Sequence, residues 1–331
     1  MRIRSLALAA AAVLAFAGVA ACSSSSADAG TVKVRIPDDS NSGLLAVGRK
    51  DGSLAAALAK VHASVEWTGT AGAFAPAAQQ LDANALDFAS GSITSATAAL
   101  AQNPGFKLFS ATQPDKLGEG ILVKNGSPIT NVRDLIGKKV AVWHGGTSEY
   151  LLLQALRQAD VPIDSVQRVY LQPGQVAPLF ASGQVDAWST WAQFSVPRLA
   201  DGGSRFLVTG GQVGSENYAV WAVRTGFADQ HPEVVRALYD YLRAAGQRQQ
   251  QDPGSFLNVK TTSGPEALSP AQKTVAESIN KALSPTAPIG AAELDRFHNV
   301  ARFFADQHIT NGFFDVKPYV IDVTSLPGSP K

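Results

Sequence analysis

The chain has 331 residues, enough for two ordinary domains or one bilobal body, because single hydrophobic cores stop growing at about 250 to 300 residues. Its 28 Lys and Arg against 27 Asp and Glu leave a formal charge of +1, which excludes the basic field that a nucleic-acid partner requires. With 17% charged residues and 29 glycines, the composition is that of a globular, loop-rich α/β protein.

A basic head, Met1 to Arg4, precedes an apolar stretch from Leu6 to Gly18 and then Val19-Ala-Ala-Cys22. The stretch is shorter than the roughly 20 residues of a bilayer span, so residues 1–21 read as a signal peptide. Val19 to Cys22 resembles the lipobox of bacterial lipoproteins. That resemblance makes Cys22 the expected lipidation site and places the mature chain on the outer face of the cell membrane. Cys22 is the only cysteine, so no disulfide can form within the chain. The Ser- and Ala-rich residues 22–30 read as a flexible tether.

Val32 to Ile36 predicts a strand, followed by the polar loop Asp38 to Ser42 and a helix from Gly43 to Val61 with a break at Asp51-Gly52. Ser64 to Thr68 reads as a strand, Phe74 to Ala83 as a helix and Leu86 to Ser90 as a strand. The order then recurs. Lys138 to Trp143 is strand-like, His144 to Ser148 a polar loop and Glu149 to Ala159 a helix; Val166 to Leu171, Val176 to Ser182 and Val185 to Trp188 follow as strand, helix and strand. Two such units predict two α/β lobes built alike on parallel sheets. Ile121 to Lys124 and Tyr218 to Val223 flank the second unit and read as the two crossings between lobes. The expected division is residues 31–120 with 225–324 for the first lobe, 121–224 for the second and a disordered tail over 325–331. Long helices are expected from Pro232 to Ala245 and from Glu293 to Ile309.

The repeat is sharpest between Asn84-Ala-Leu-Asp-Phe-Ala-Ser-Gly-Ser92 and Gly183-Gln-Val-Asp-Ala-Trp-Ser-Thr-Trp191. Asp87 and Asp186 occupy equivalent places and are expected to be structural, starting strands at the end remote from a ligand. In an open parallel sheet, ligands sit beyond the carboxyl ends of the strands, where loops meet helix N-termini that favour anions. The candidate ligand-binding residues there are Ser40, Asn41 and Ser42, then Ser90, Ser92 and Thr94, then Gly146, Thr147 and Ser148. Ser, Thr and Gly before a helix also serve as plain caps, and both readings stand. His144 either donates to an anion or is a structural histidine. Of Trp188 and Trp191, one is expected in the core and one on the cleft wall, while Asn217 and Tyr218 stand where a crossing meets the cleft.

Catalytic patterns are missing: the five histidines show no metal spacing, and no nucleophile elbow or Walker loop occurs. No enzyme activity, cofactor or metal is therefore expected. The segments "SPITNVRDLIGKKVAVWHGGTSEYLLLQAL" and "VYLQPGQVAPLFASGQVDAWSTW" resemble the substrate-binding proteins of ABC importers for aliphatic sulfonates, taurine and nitrate. The resemblance implies a periplasmic-binding-protein fold of type II, with two α/β lobes, a two-crossing hinge and closure over a small anion. Its implied partners are an ABC permease and its ATPase, with the protein acting as a monomer. Two departures from the resemblance touch the expected cleft: Ala192-Gln-Phe194 replaces the Asp-Pro-Tyr that follows the second tryptophan in sulfonate binders, and Gly91-Ser-Ile-Thr-Ser95 lacks the prolines of the first-lobe Thr-Gly-x-x-Pro-Pro motif. Two alternatives stay open: a desulfinase-like enzyme on the same fold, which would need a cysteine, and a binder of a thiamine-precursor-like metabolite using Asp38, Asp39 and Glu149.

Overall fold

The computed structural model describes residues 30–38, 40–70 and 73–328. The expected signal peptide, Cys22 with the expected tether up to residue 29, Asp39 and residues 329–331 lie outside them.

The first half comprises β1 (Val32–Asp38), α1 (Leu44–Asp51), α2 (Ser53–Ala59), β2 (Ala63–Thr70), α3 (Phe74–Asp82), β3 (Phe88–Ser92), α4 (Ile93–Leu100) and β4 (Phe106–Ala111). The chain then crosses to β5 (Gly120–Lys124), β6 (Lys139–Val142), α5 (Thr147–Gln158), β7 (Gln167–Tyr170), α6 (Pro173–Ser182), β8 (Ala187–Thr190), α7 (Ala192–Ala200) and β9 (Ser204–Thr209). It returns through β10 (Ala219–Arg224), α8 (Thr225–Gln230), α9 (Pro232–Gln251), α10 (Pro270–Ala282) and α11 (Ala291–Asp306). The expected break between α1 and α2 falls at Gly52, whose φ of 74° is a left-handed conformation that glycine adopts without steric cost. Gly48, inside α1, lets Tyr241 of α9 reach the Leu44 carbonyl at 2.6 Å; a Cβ there would lie 1.9 Å from the phenol oxygen. Gly48→Ala is expected to cost about 1 to 3 kcal/mol through this overlap, read as a lower urea midpoint with unchanged slope.

β1 and β2 pair in parallel, β10 lies between β3 and β4, and the second lobe holds the sheet β7-β6-β8-β5-β9. The sheets are mixed, in contrast to the parallel ones expected: β10 runs antiparallel to β3 and β4, and β5 runs antiparallel to β8 and β9. The connection explains the reversal. Gly120, the first residue of β5, pairs with Thr190, the last of β8; Ala219, the first of β10, pairs with Ser92, the last of β3. Each crossing therefore enters its sheet at the carboxyl edge of the parallel strands and runs back. The apolar strands expected to be the crossings are instead the first strands entered after them, and β10, expected in the second lobe, belongs to the first sheet. Their apolarity comes from burial on both faces.

Alternate residues of each central strand face opposite clusters. In the second lobe Ile121, Val123, Val140 and Val142 pack with Leu152 and Leu156 of α5, whereas Leu122, Ala141 and Trp188 pack with Val176 and Phe180 of α6. In the first, Val34, Phe88 and Val223 meet α2 and α9, while Ala89, Leu108 and Ala222 meet α3, α4 and α11. Tyr150 and Leu153 of α5 join this last cluster, so the lobes share apolar contacts. At the chain end, Ser325 Oγ donates to the Asp322 carbonyl at 2.7 Å and Leu326 packs on the core, so this part of the expected disordered tail is ordered by a turn.

Asp87 and Asp186 make the same staple in both lobes. The Asp87 carboxylate accepts the Arg35 N–H at 2.9 Å while its own N–H donates to the Arg35 carbonyl; Asp186 does the same with Lys139, at 2.8 Å. Only Asp87 is buried, and it also accepts from the guanidinium groups of Arg35 and Arg224 at 2.8 and 3.0 Å.

Candidate functional site

The carboxyl edges of both sheets meet at a cavity of about 520 Å³. Ser40, Ser42, Gly43 and Ser90 line it from the first lobe, and Ala192 and Gln193 from the second. Two helices start there, α1 after Gly43 and α7 after Trp191, and neither has a side-chain cap. Their first N–H groups have no partner within the helix and carry the positive end of its dipole. Ser90 Oγ, exposed at the cavity wall, has no hydrogen-bond partner among the described residues. The start of α4 is already occupied. In α4, Ser95 N–H donates to Ser92 Oγ and Thr94 N–H to Asn217 Oδ1. The start of α5, after Gly146, also has no side-chain cap, since the Gly145 N–H that Glu149 accepts at 2.8 Å precedes the helix; it does not line this cavity.

Ser92, Thr94, Thr147 and Asn217 come together from both lobes, but they satisfy one another. Thr147 Oγ1 lies 3.0 Å from Ser92 Oγ and 3.3 Å from Thr94 Oγ1; Thr94 Oγ1 donates to Asn217 Oδ1 at 3.1 Å, and Asn217 Nδ2 lies 3.2 Å from Thr147 Oγ1. This ties the β3–α4 turn, the α5 start and the second crossing into one interlobe network. Asn41 borders the cavity, but its buried amide accepts from Lys260 and Thr261 N–H and donates to the Thr261 and Glu266 carbonyls.

The remaining expected residues line neither this cavity nor the crevice described below. Ser148 Oγ accepts the Trp143 N–H at 2.7 Å, which closes the loop on itself. Gly146 is buried against Trp143, where a Cβ would come within 2.8 Å of the indole. His144 is exposed and sits 3.0 Å from Glu149, which also accepts from Tyr170 at 2.6 Å and Arg168 at 3.2 Å. Trp188 is in the core between Phe180 and Phe194, and Tyr218 is buried with its hydroxyl on the Glu293 carbonyl. Trp191 is half-buried, edge-on to Phe194 at 5.1 Å. Ser189 and Thr190 are buried with unpartnered hydroxyls, although Ser189 stands where Ser90 stands in the other lobe, three residues past the aspartate.

Sequence reasoning missed Glu119, on the first crossing. Its carboxyl is buried, with Oε2 2.9 Å from Asn217 Nδ2 and Oε1 unpartnered. Burial pushes its pKa up to about 8 against hydrogen bonds from Ser215 and Asn217, with the nearby charge of Asp115 adding to the rise. The acid is therefore neutral at pH 7 and joins the two crossings at the hinge. A carboxylate placed directly before an apolar run, as in Glu119-Gly-Ile-Leu-Val123, was the signal available. Among the described residues no helix is long and apolar enough to cross a membrane, and no group of His, Cys, Asp and Glu is placed to hold a metal ion.

Residues 73–255 match the NMT1/THI5 like family. The chain is 31% identical over 231 residues to a protein of Escherichia coli K12 named as an aliphatic sulfonates-binding protein, covering 66% of this chain and 71% of the relative. It is 37% identical over 127 residues to the taurine-binding periplasmic protein of the same organism, covering 37% and 39%. The alkanesulfonate-binding protein SsuA from Xanthomonas axonopodis pv. citri bound to MOPS superposes with a TM-score of 0.78 at 22% identity, over 88% of this chain and 98% of that one, which shows a shared fold. The chain thus belongs to the NMT1/THI5 like family and has the two-lobed α/β fold of periplasmic binding proteins.

Proposed function

We propose that the protein is the extracytoplasmic receptor of an ABC importer, which captures a small sulfonate-like organic anion between its lobes and delivers it to a permease driven by an ATPase. The observation that carries this is the pairing of two uncapped helix N-termini, one from each lobe, on one cavity beside the free Ser90 hydroxyl. Such a site holds an oxyanion with neutral dipoles and needs no formal cation. Contacts from both lobes make the shut state the tighter binder, so ligand shifts the population toward closure. The sulfonate- and taurine-binding relatives support the ligand class. The lipobox-like Val19 to Cys22 supports a chain tethered through a lipid on Cys22 to the outer membrane face. Of the carboxylates expected to favour a cation, Asp38 pairs with Arg49 and Glu149 with Arg168 and Tyr170, while Asp39 lies outside the described residues; Glu266 borders the cavity beside the helix starts. A cysteine-dependent enzyme would have to draw on Cys22, the only one present.

Isothermal titration with ethanesulfonate, taurine, nitrate and sulfate tests the reading. A sulfonate is expected to bind, and Ser90→Ala to weaken it by about 1 to 3 kcal/mol, the scale of a hydrogen bond to a charged group. Heat from none of the anions would overturn it.

A further inference from the structure

A second cavity of about 500 Å³ adjoins the first and shares Ser40, Ser42 and Ser90 with it. It lies at the carboxyl edge of β1 and β3, between α1 and α3, and Leu44, Leu45, Ala77, Leu86 and Trp221 contribute its apolar walls. Trp221 is only half-buried, although it sits on the central strand β10, where Val220, Ala222 and Val223 are fully covered. In the register of β10 on β3, Trp221 stands directly opposite Ser90. Paired positions share a face with Cβ atoms about 5 Å apart, so the indole borders the hydroxyl assigned to the anionic head.

We infer that this crevice receives the apolar substituent of the ligand, and that the preferred substrates are organosulfonates bearing a ring-sized or long alkyl group laid along Trp221. The inference rests on the sulfonate reading above and deepens it. The size fits: an apolar cavity of about 150 Å³ already accommodates a benzene ring, and sites of about 300 to 1,000 Å³ enclose whole drug-sized ligands. The chemistry fits as well. No Lys or Arg lines the crevice and the Asp38 carboxylate does, so a second anionic group is disfavoured there, with Gln80 the polar side chain on the α3 wall. Leu44, Leu45 and Trp221 border the cluster on one face of the first sheet, and Ala77 and Leu86 that on the other, so a ring seated there bridges two apolar cores. Aromatic ligands gain from offset or edge contacts with an indole in addition to area burial.

The experiment compares dissociation constants of the full mature chain for ethanesulfonate, hexanesulfonate, benzenesulfonate and 2-naphthalenesulfonate, with tryptophan emission followed in parallel. Each methylene taken from water is worth about four-fold in affinity. Hexanesulfonate and naphthalenesulfonate are therefore expected to bind at least ten-fold tighter than ethanesulfonate, and the naphthalene ring to perturb the emission. Ala77→Trp, which fills the crevice from α3, is expected to abolish that gain and leave ethanesulfonate binding within about two-fold. Equal affinity for all four ligands overturns the crevice and leaves the sulfonate reading standing, and the wild-type series decides this even where the variant does not fold. An unchanged gain in a folded Ala77→Trp variant also overturns it. Failure of every sulfonate to bind overturns the reading of the head site, and the crevice with it.

Discussion

Asp87→Ala is expected to lower folding stability by about 3 kcal/mol or more, measured by urea unfolding at pH 7. The carboxylate is buried and holds three groups at once: the Arg35 backbone N–H and the guanidinium groups of Arg35 and Arg224. Removing it leaves two partly buried cations without their partner and cuts the tie between β1 and β3. Asp186→Ala removes the same backbone contact from an exposed position, so about 1 kcal/mol or less is expected there. Equal losses at the two sites would show that burial is not what makes Asp87 important. The same pairing sets a pH dependence. Burial works against ionisation of Asp87, but the hydrogen bonds from Arg35 and Arg224 outweigh it and hold the carboxyl below its usual range. Its contribution is complete above the ordinary carboxylate pKa of about 4 and is lost as pH falls through the lower folded value. The Asp87→Ala chain is therefore expected to lack part of the wild-type acid transition.

Glu119→Gln is expected to stabilise the protein at pH 8 and to have little effect near pH 4.5. In the wild type the folded chain holds the Glu119 proton up to about pH 8, whereas the unfolded chain releases it in the ordinary carboxyl range. Over that window the folded state binds more protons, so this one group lowers stability by about 1.4 kcal/mol per pH unit as pH rises. Glutamine keeps an acceptor for Asn217 and cannot ionise, so its stability curve loses that slope. The two melting temperatures should coincide at low pH and separate steadily toward pH 8. Parallel curves across the window would show that Glu119 does not enter the fold as a neutral acid. Because Glu119 and Asn217 join the two crossings, the proton also bears on how firmly the hinge is held.

The elements were legible where a local period decided them. The helical stripe of α9 states its buried face within a few residues, and Gly52 marks the break between α1 and α2 without reference to the rest of the chain. The two aspartates were legible as a pair because the repeat itself is local. The direction of β5 and β10 was not, since an apolar strand buried on both faces reads alike in either orientation. The role of each cleft residue was least legible of all. Thr147 and Ser148 look as available as Ser90 in the sequence, yet one hydroxyl is held by Ser92, Thr94 and Asn217 and the other by the Trp143 N–H.

The sequence by itself determined the resemblance to a family, the repeated α/β units and the places where loops meet helix starts, because each strand, turn and helix start is set by its near neighbours and only their order recurs along the chain. Tertiary structure decided which polar groups are left to meet a ligand. Asn41 is consumed by a loop more than 200 residues away, Asn217 by groups on both lobes, and Ser189 is buried within strand β8, whereas its counterpart Ser90 stays open at the cavity. Hydrogen-bond satisfaction is a property of the whole packed chain, because each donor and acceptor must find its partner or water once the fold has closed around it.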